Sequence, residues 1–569
     1  MKSWEDFKSI VIVDYEFIAG KGERQRPLCY VAYDILAGQL YRRWLLDEAS
    51  KQDYPNDRTS LTVAFMASAE FGCYLPLNFP LPTYVVDLFA EFRCQTNGLV
   101  QDSSLIGACN YFNLPSSSVI YKETMIDRIL QGPPYTEEEQ LKILDYCQKD
   151  VEMTVRLFQA MKSSIDLNYA LLRGRYMTAV AHMEYRGIPV NVEMLNDLKN
   201  NWNSMKNQLI AKVDKHYGVF DGTTFKHDRY EAYLERNDIP IEYTEHGRPK
   251  TSDSYLKELA KTYPQLGPLR ELKVTLGQLK LAKLEVGTDG RLRTSLRPFS
   301  SKTARNYPRK YIFGNAVWTR NLIKPQEGMA VSYIDYEQQE LAIAAVLSGD
   351  TNLIAAYRSG DPYTAFAKVA GAIPPDGSKQ THPDIRERYK TLMLGTNYGL
   401  SERAFALRAN ISLAEAHRIM VSHKINYRRY WEWSDNSVGV GFLSGRMRTN
   451  YGWYLYTKFQ KPNTLKNWPM QSTGADILRL AICFCIEKGV IVIAPIHDAI
   501  LIEAPIEEID ARTKIAQKCM EDASEWVIDL RIRTEVKSFC YPDRFTDKRG
   551  EFMWNLLLDC LKDQKECSK

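Results

Sequence analysis

Two segments in the second half of the sequence carry acidic residues at the ends of apolar runs. SYIDYEQQEL places Asp335 at the end of a strand pattern, and VIVIAPIHDAILIEA places His497 and Asp498 where two strand patterns meet. Carboxylates so placed can share divalent cations, because Mg²⁺ prefers oxygen ligands. Two such cations could activate a hydroxyl nucleophile and stabilise a leaving oxygen, which is the chemistry of phosphoryl transfer.

A third segment, RERYKTLMLGTNYG, repeats functional side chains every four residues, at Arg386, Lys390, Leu394 and Tyr398. This spacing predicts one slanting stripe on a helix, with two cations at its N-terminal end and an aromatic ring at the other. Arg386 and Lys390 could bind triphosphate oxygens, the arginine as a bidentate fork. Lys390 could also donate a proton to a departing pyrophosphate.

The first 150 residues indicate a second cluster of carboxylates. Asp14 and Glu16 end the apolar run SIVIVDYEF, and residues two apart on a strand point to the same face. Tyr146 and Asp150 are four apart in a capped helical pattern and therefore share a face of that helix. Four acids holding two cations, with a tyrosine that orients the attacking water, would form a two-metal phosphodiesterase.

The three C-terminal segments, in this order, resemble motifs A, B and C of family A DNA polymerases. The resemblance implies an active site with two Mg²⁺ ions, which Mn²⁺ could replace, bound by Asp335, Asp498 and the backbone carbonyl of Tyr336. Lys390 is the further catalytic residue that it implies. The implied nucleotide-binding residues are Tyr336, Gln338, Glu340, Arg386, Lys390, Leu394, Tyr398 and His497. Through SSKTARNYP and NWPMQSTGAD it also implies primer–template contacts from Arg305, Asn467 and Gln471.

The same resemblance implies a choice of sugar. Glu340 corresponds to the steric gate of the family, which favours dNTPs over rNTPs. Leu394 stands where the family has Phe or Tyr, so we expect discrimination against dideoxynucleotides, as with Phe. Ala499 stands where Glu is usual, which indicates that the third carboxylate is auxiliary. Glu337 replaces a serine of motif A, and the sequence gives no account of it.

The N-terminal cluster resembles the DEDD 3′→5′ exonucleases that are fused to family A polymerases. DxE and YxxxD are both present, about 130 residues apart. In the middle motif, TVAFMASAEFGCYL has Met66 where Asn is expected and Glu70 where Asp is expected; Asp87 is the competing candidate. The resemblance thus implies catalysis by Asp14, Glu16, Tyr146 and Asp150. The implied metal ligands are Asp14, Glu16, Glu70 and Asp150.

We therefore expect an α/β, RNase H-like exonuclease domain over 1–165 and an α+β polymerase domain over 166–569. Within the second domain, a thumb is expected at about 196–297 and fingers at about 361–430, with the palm as the remainder. The chain begins at the exonuclease, so we expect no 5′-nuclease domain, a compact arrangement similar to bacteriophage replicative polymerases. The predicted thumb has no long insertion that would mark a binding loop for a processivity factor. Whether such a factor exists therefore stays open.

Charge is unevenly distributed along the 569 residues. Residues 1–165 hold 16 Lys and Arg against 22 Asp and Glu, a net −6, whereas the remainder holds 58 against 48, a net +10. A basic body beside an acidic unit suits a nucleic-acid channel next to a carboxylate-rich metal site. The sequence shows neither a signal peptide nor a membrane-length apolar run, which predicts a cytoplasmic protein, in a bacterial host if phage-encoded.

Three hypotheses follow. The first is a replicative or repair DNA polymerase with proofreading. The second is a translesion or gap-filling polymerase whose exonuclease is inactive, for which Met66 is the best support. The third is a non-catalytic primer–template-binding protein, which would require the loss of Asp335, Asp498 or Lys390, and all three are present.

Overall fold

The N-terminal part of the chain is built on a mixed five-stranded sheet. The computed structural model describes residues 2–45, 51–277, 284–314 and 316–567. The strands are β1 (Ser9–Ile18), β2 (Arg26–Asp34), β3 (Gln39–Trp44), β4 (Ser60–Ala64) and β5 (Val85–Asp87). Their order is β3-β2-β1-β4-β5, with β2 antiparallel to β1 and β3, and with β4 parallel to β1 and β5.

Helices cover both faces of this sheet. They are α1 (Ala67–Leu77), α2 (Leu88–Thr96), α3 (Leu105–Tyr111), α4 (Val119–Gln131), α5 (Glu137–Met161) and α6 (Leu167–Arg186). Successive β1 residues point to opposite faces, so Val11 packs in the cluster that contains α1 and α6, and Ile12 packs in the cluster that contains α5. The predicted α/β pattern and the capping box of α5, in which Thr136 and Glu139 bond reciprocally, are confirmed.

Helix α6 joins the N-terminal sheet to the rest of the molecule. It packs against α1 and β5 on one side and against a long C-terminal helix on the other. A side chain at Gly174 would collide with the carbonyl of Val85, so this glycine lets α6 approach β5 closely. The change of pattern near residue 165 is therefore a change of element, across which the apolar core continues.

The region after α6 is mainly helical. Its elements are β6 (Ile188–Pro189), α7 (Val192–Asp214), β7 (Phe220–Asp221), β8 (Thr224–Phe225), α8 (His227–Arg236), α9 (Asp253–Thr262), α10 (Gly267–Leu276) and β9 (Arg291–Leu292). These elements lie where the thumb is predicted, although residues 278–283 of that range are outside the described residues. The Lys-rich helix α7 packs on the last helix of the chain.

A four-stranded antiparallel sheet forms the base of the C-terminal body. Its strands are β10 (Met329–Tyr336), β13 (Ile491–Ile496), β14 (Ala499–Pro505) and β15 (Thr534–Cys540), in the order β13-β14-β10-β15. A small hairpin consists of β11 (Arg446–Arg448) and β12 (Tyr454–Tyr456). The strands predicted in SYIDYE and VIVIAPIHDAILIEA are confirmed as β10, β13 and β14. These segments form strands because their β-branched residues fill the centre of this sheet.

Further helices complete the C-terminal body. They are α11 (Gln339–Ser348), α12 (Thr351–Arg358), α13 (Pro362–Val369), α14 (Pro383–Thr396), α15 (Glu402–Ala409), α16 (Leu413–Asn426), α17 (Arg428–Ser444), α18 (Pro462–Glu487), α19 (Ile509–Ile528) and α20 (Lys548–Cys567). Helices α18 and α19 pack on the four-stranded sheet. Cys483 and Cys485 on α18 are buried, as expected for core residues. Within the described residues, no helix is both long enough and apolar enough to span a membrane.

Candidate functional sites

The antiparallel pairing of β10 and β14 brings two distant aspartates together. Asp335 pairs in register with Ala499, and Asp498 is the residue just before Ala499, in the turn after β13. The backbone nitrogen of Tyr336 donates to the carbonyl of Asp498 at 3.4 Å. His497 adopts a left-handed backbone (φ 54°) in this turn. Asp335 and Asp498 thus lie side by side, where β10 ends and β14 begins.

Burial and mutual repulsion make this pair of carboxylates unfavourable as two bare anions. Burial, followed by the charge of Asp498, raises the pKa of Asp335 to about 7, and burial also raises the pKa of Asp498. The Tyr333 hydroxyl donates to Asp335 Oδ2 at 3.2 Å. Asp335 Oδ1 is buried and has no hydrogen-bond partner among the described residues. A divalent cation would satisfy that oxygen and neutralise the pair.

A third carboxylate near Asp335 was missed in the sequence. Glu535 on β15 pairs directly with Asp335, and opposite residues of an antiparallel pair share a face. Its charge contributes to the raised pKa of Asp335. Ala499, where the family pattern has an acid, is fully buried. The alternating polar pattern of TEVKSFC was the available signal, but the strand partner of Glu535 is set only by the tertiary fold.

The cations of the third motif lie on α14, which begins at Pro383. Arg386 Nε donates to Asp361 Oδ2 at 2.7 Å, and Lys390 Nζ donates to Glu387 Oε1 at 3.1 Å. Leu394 is half-buried on the same helix. Both cations are partly exposed and are held by acids of their own region, so triphosphate oxygens would have to exchange with these carboxylates.

The predicted helical stripe ends at Leu394, one residue of the pattern earlier than expected. Helix α14 stops at Thr396, and Tyr398 lies in the following turn, ahead of Gly399 with its left-handed backbone (φ 73°). Tyr398 is therefore not the last member of a helical stripe, because Asn397 and the glycine turn redirect the chain. Its hydroxyl instead donates to the carboxylate of Glu340 and lies 2.9 and 2.7 Å from the two oxygens.

Glu340, the candidate steric gate, is held from several elements. Gln471 Nε2 on α18 donates to the Tyr398 hydroxyl at 3.2 Å, and Arg305 Nη2 lies 3.8 Å from Glu340 Oε1. Asn467 is one turn before Gln471 on α18 and is half-buried. The structure therefore gathers residues predicted for nucleotide and for primer–template into one connected network beside Asp335 and Asp498.

Two residues of motif A gain a structural explanation. Glu337 accepts a hydrogen bond from Arg533 Nε at 3.2 Å, so it forms an ion pair with the segment leading into β15. The same arginine stacks on Tyr357 with 4.6 Å to the ring centroid. Gln338 has a left-handed backbone (φ 57°) at the start of α11, and its buried Oε1 has no partner among the described residues.

In the N-terminal part, four acids from three elements meet. Asp14 and Glu16 lie on β1, Glu70 in the first turn of α1 and Asp150 on α5. Burial, followed by the charge of Asp150, raises the pKa of Asp14 to about 8. Burial raises the pKa of Glu16 and of Glu70 well above the ordinary range, and Asp14 is the next cause for both. Burial is the largest cause of each shift, and the charges of the other acids in the cluster add to it.

The structure distinguishes the two candidates for the middle acid. Glu70 Oε2 accepts from the backbone nitrogen of Tyr15 at 2.7 Å, which directs it to the β1 acids. Asp87 instead caps α2 by accepting from the nitrogen of Ala90 at 2.6 Å, and it also accepts from Ala67. Met66 has a left-handed backbone (φ 70°) just before α1 and packs against the core. Glu70 joins the cluster, whereas Asp87 has a structural contact.

Tyr146 and Asp150 lie on one face of α5, as the spacing predicted. Burial and the charges of Asp150, Glu16 and Asp14 raise the pKa of Tyr146, which keeps its hydroxyl protonated. Lys122 Nζ donates to Asp150 Oδ2 at 2.9 Å, a cation that the sequence did not single out. Asp150 Oδ1 is buried without a hydrogen-bond partner among the described residues. As at Asp335, this oxygen fits a metal-binding role, and the carboxylate donors suit Mg²⁺ or Mn²⁺.

The comparisons with known proteins agree with this architecture. The model of DNA polymerase family A matches residues 192–540, and the chain belongs to that family. It is 25% identical over 419 residues to a thermostable DNA polymerase I of Thermus thermophilus, covering 67% of this chain and 50% of that protein. It is 24% identical over 404 residues to the DNA polymerase I of Aquifex aeolicus, covering 68% of each. The chain spans about half the length of the Thermus relatives.

A solved structure extends the likeness to the fold. The POL domain of Pol1 from M. smegmatis, in complex with DNA primer-template and dNTP, has a TM-score of 0.70 at 18% identity. The match covers 93% of this chain and 94% of that chain. The unmatched 7% of 569 residues is about 40 residues, so the fold likeness extends into the N-terminal part. The palm, thumb and fingers fold of a family A polymerase is thus supported.

Proposed function

We propose that this chain is a template-directed DNA polymerase that adds dNTPs to a primer 3′ end by two-metal phosphoryl transfer. The observation that carries the proposal is that Asp335, at the end of β10, lies beside Asp498, just before β14, and that Asp335 Oδ1 is buried without a hydrogen-bond partner among the described residues. Family membership supports the same chemistry. The proposed partners are primer–template DNA and dNTPs, and the proposed cofactor is Mg²⁺, two ions per active site.

The residues would divide the work as follows. When bound, two divalent cations would lower the pKa of the primer 3′-hydroxyl and neutralise charge on the triphosphate. Asp335, Asp498 and the carbonyl of Tyr336 would hold them. Arg386 and Lys390 would exchange their present carboxylate partners for triphosphate oxygens, and Lys390 would supply a proton to the pyrophosphate.

The remaining residues of the site would select the substrate. Glu340, held by Tyr398, would lie against the C2′ position of the sugar. Arg305, Asn467 and Gln471 would contact the primer–template in the minor groove, where nearly common acceptors allow pair geometry to be checked without reading sequence.

We further propose a 3′→5′ exonuclease in the N-terminal part, over about 1–165. The supporting observation is the convergence of Asp14, Glu16, Glu70 and Asp150 beside Tyr146. Glu70 would supply the acid that the middle motif needs, so Met66 does not by itself argue for an inactive exonuclease. We therefore favour a proofreading polymerase over a gap-filling one. A non-catalytic binding protein is disfavoured because Asp335, Asp498 and Lys390 all remain.

Primer extension with Mg²⁺ and dNTPs tests the polymerase. Asp498→Ala should lower the extension rate by about 1,000-fold or more, since several kcal/mol of charge stabilisation are lost. Asp510→Ala, an exposed acid on α19, is the matched control and should keep the rate. Extension by Asp498→Ala at the rate of the control would overturn the palm assignment.

Hydrolysis of a mismatched 3′ end tests the exonuclease separately. Asp14→Ala and Glu70→Gln should each abolish degradation while primer extension continues. Asp145→Asn changes an exposed acid on the same helix as Asp150, ion-paired with Arg42, and should leave degradation intact. Unchanged degradation in Asp14→Ala would mean that the N-terminal part has no nuclease role of this kind.

A further inference from the structure

Helix α2 belongs to the N-terminal part but is buried on all sides. Its first turn is capped by Asp87 at the end of β5, which ties it to the N-terminal sheet. Eight of its nine residues are buried, whereas a surface helix would expose a polar stripe. Besides its contacts with β4, β5 and α5 in the N-terminal part, the helix contacts the polymerase body. Cys94 donates to the carbonyl of Gly452, and the carbonyl of Asn97, which follows α2, accepts from the nitrogen of Tyr456 on β12.

Donors at the end of α2 reach the loop that precedes Arg305. Asn97 Nδ2 donates to the carbonyl of Lys302 at 2.7 Å and to that of Tyr454 at 2.7 Å. Trp468 Nε1 on α18 donates to the same Lys302 carbonyl at 2.8 Å. Arg93 Nη2 donates to the carbonyl of Ser300 at 3.2 Å. Donors from the N-terminal part and from α18 therefore converge on one loop.

The backbone of this loop is strained at three positions. Arg297, Phe299 and Ala304 have φ values of 47°, 57° and 59°. Residues with a side chain disfavour this left-handed region, so three of them in eight positions persist only because surrounding groups hold the chain. Arg479 on α18 completes the support by donating to the carbonyl of Ala304 at 2.8 Å.

The loop ends at a residue of the polymerase site. Arg305 follows Ala304 directly and lies 3.8 Å from Glu340. A loop that relaxed after losing the donors of α2 would move Arg305 away from this position. The catalytic aspartates would be unaffected, because they lie on the sheet formed by β10 and β14.

We infer that Asn97 and Arg93 are positioning residues for primer–template binding, through which the N-terminal part sets the affinity of the polymerase site for DNA. The inference rests on the proposed polymerase function. It assigns α2 a role in polymerisation that is independent of nuclease chemistry, since neither residue belongs to the four-acid cluster.

The test uses the full-length chain carrying Asn97→Leu, which removes both amide donors from a buried position. Binding of a fluorescent primer–template should weaken about fivefold, the equivalent of one lost hydrogen bond. At saturating DNA, kcat should stay within about twofold of wild type, because the reacting groups remain in place. Asn56→Leu is the matched control: its amide donates to the carbonyl of Pro80 within the N-terminal part, so it should bind DNA like wild type.

A merely structural role gives a different result. Asn97→Leu would then have a lower thermal midpoint and a smaller active fraction, but the remaining enzyme would bind primer–template with wild-type affinity, and this would overturn the inference. Should Asn97→Leu be insoluble, Arg93→Lys is judged by the same criteria, because it loses the guanidinium hydrogen bonds to the carbonyls of Phe299 and Ser300. Failure of wild type to extend primers would instead count against the proposed polymerase function.

Discussion

Glu340, the proposed steric gate, is restrained by its neighbours. The Tyr398 hydroxyl lies within hydrogen-bonding distance of both carboxylate oxygens, and Arg305 lies 3.8 Å away, so under the proposed function the side chain would resist moving aside for a ribose hydroxyl. Leu394 and Glu535 are two further residues at which this chain departs from the family pattern or adds to it. Each of these positions can be tested by a single substitution.

Glu340→Ala should relax sugar selection. Removing the side chain opens space at C2′, so the ratio of kcat/KM for rNTP over dNTP should rise by about 100-fold or more. Single-nucleotide incorporation of UTP and dTTP measures this ratio. Glu337→Gln, an acid in the same motif that pairs with Arg533, is the control and should keep wild-type selectivity.

Leu394 predicts discrimination against dideoxynucleotides. Leucine, like phenylalanine, offers no hydroxyl to take the place of the missing 3′-hydroxyl of a ddNTP. Wild type should therefore incorporate ddTTP far less efficiently than dTTP, and Leu394→Tyr should narrow the difference. Primer extension at equal concentrations checks this, and equal use of ddTTP and dTTP by wild type would contradict it.

At the level of elements, the edge strand β15 adds a third carboxylate, that of Glu535, beside Asp335. Glu535 faces the same side of the sheet as Asp335 because the two residues are directly paired. This arrangement explains how β14 can begin with a buried Ala499 without leaving the site short of negative charge.

Glu535→Gln should therefore weaken metal binding and leave the maximal rate largely intact. The Mg²⁺ concentration for half-maximal extension should rise several-fold, because one carboxylate charge near Asp335 is lost. A Mg²⁺ titration of primer extension measures it. Glu551→Gln, an exposed acid on α20, is the control; an identical Mg²⁺ requirement for both variants would remove Glu535 from the site.

Helix α16 contains a buried histidine that should make stability depend on pH. Burial lowers the pKa of His423 to about 3, and its Nδ1 accepts from Trp431 Nε1 at 3.0 Å, which requires the neutral ring. The unfolded chain takes up a proton near pH 6.5, whereas the folded chain does not. The stabilisation of the folded state by neutral His423 is therefore complete above pH 6.5 and is lost as the pH falls toward 3.

Lowering the pH from 7 to 5 should reduce the free energy of unfolding by about 2 kcal/mol through His423. Urea unfolding at both values, compared with His423→Phe, isolates the effect, since other titrating groups are common to the two proteins. The variant should lose less stability than wild type over this interval. Parallel losses in the two proteins would show that His423 titrates equally in the folded and unfolded chains.

At the scale of the whole molecule, a buried ion pair joins the N-terminal part to the polymerase body. Arg173 on α6 donates to Glu91 on α2, with 2.7 Å between Nη2 and Oε2, and both side chains are almost fully buried. Arg173 also donates to the carbonyl of Tyr451 at 3.3 Å. The acidic N-terminal part and the basic body therefore share a polar contact inside a continuous core.

Arg173→Met should destabilise the whole chain by about 3–5 kcal/mol, because Glu91 is left buried without a countercharge. Adding Glu91→Gln should recover part of this loss. Urea denaturation followed by tryptophan fluorescence measures both. Arg428→Met breaks an exposed i,i+4 pair with Glu432 and should not shift the midpoint; an equally small effect of Arg173→Met would contradict a stabilising role for the buried pair.

The sequence by itself determined the local elements and most of the acids. Short apolar runs located β1, β10, β13 and β14, the capping box located α5, and four-residue spacing placed Tyr146 with Asp150. These signals suffice because they depend on backbone geometry over a few residues. The resemblance to family motifs then ordered the candidate residues of the polymerase site.

Only the tertiary structure decided which distant groups meet. Strand register brings Glu535 beside Asp335, and the turn after α14 sends Tyr398 to Glu340 instead of continuing the helix. The fold also directs Glu70 to the acids of β1, whereas Asp87 caps α2. These choices depend on packing between elements far apart in the chain, which no local spacing encodes.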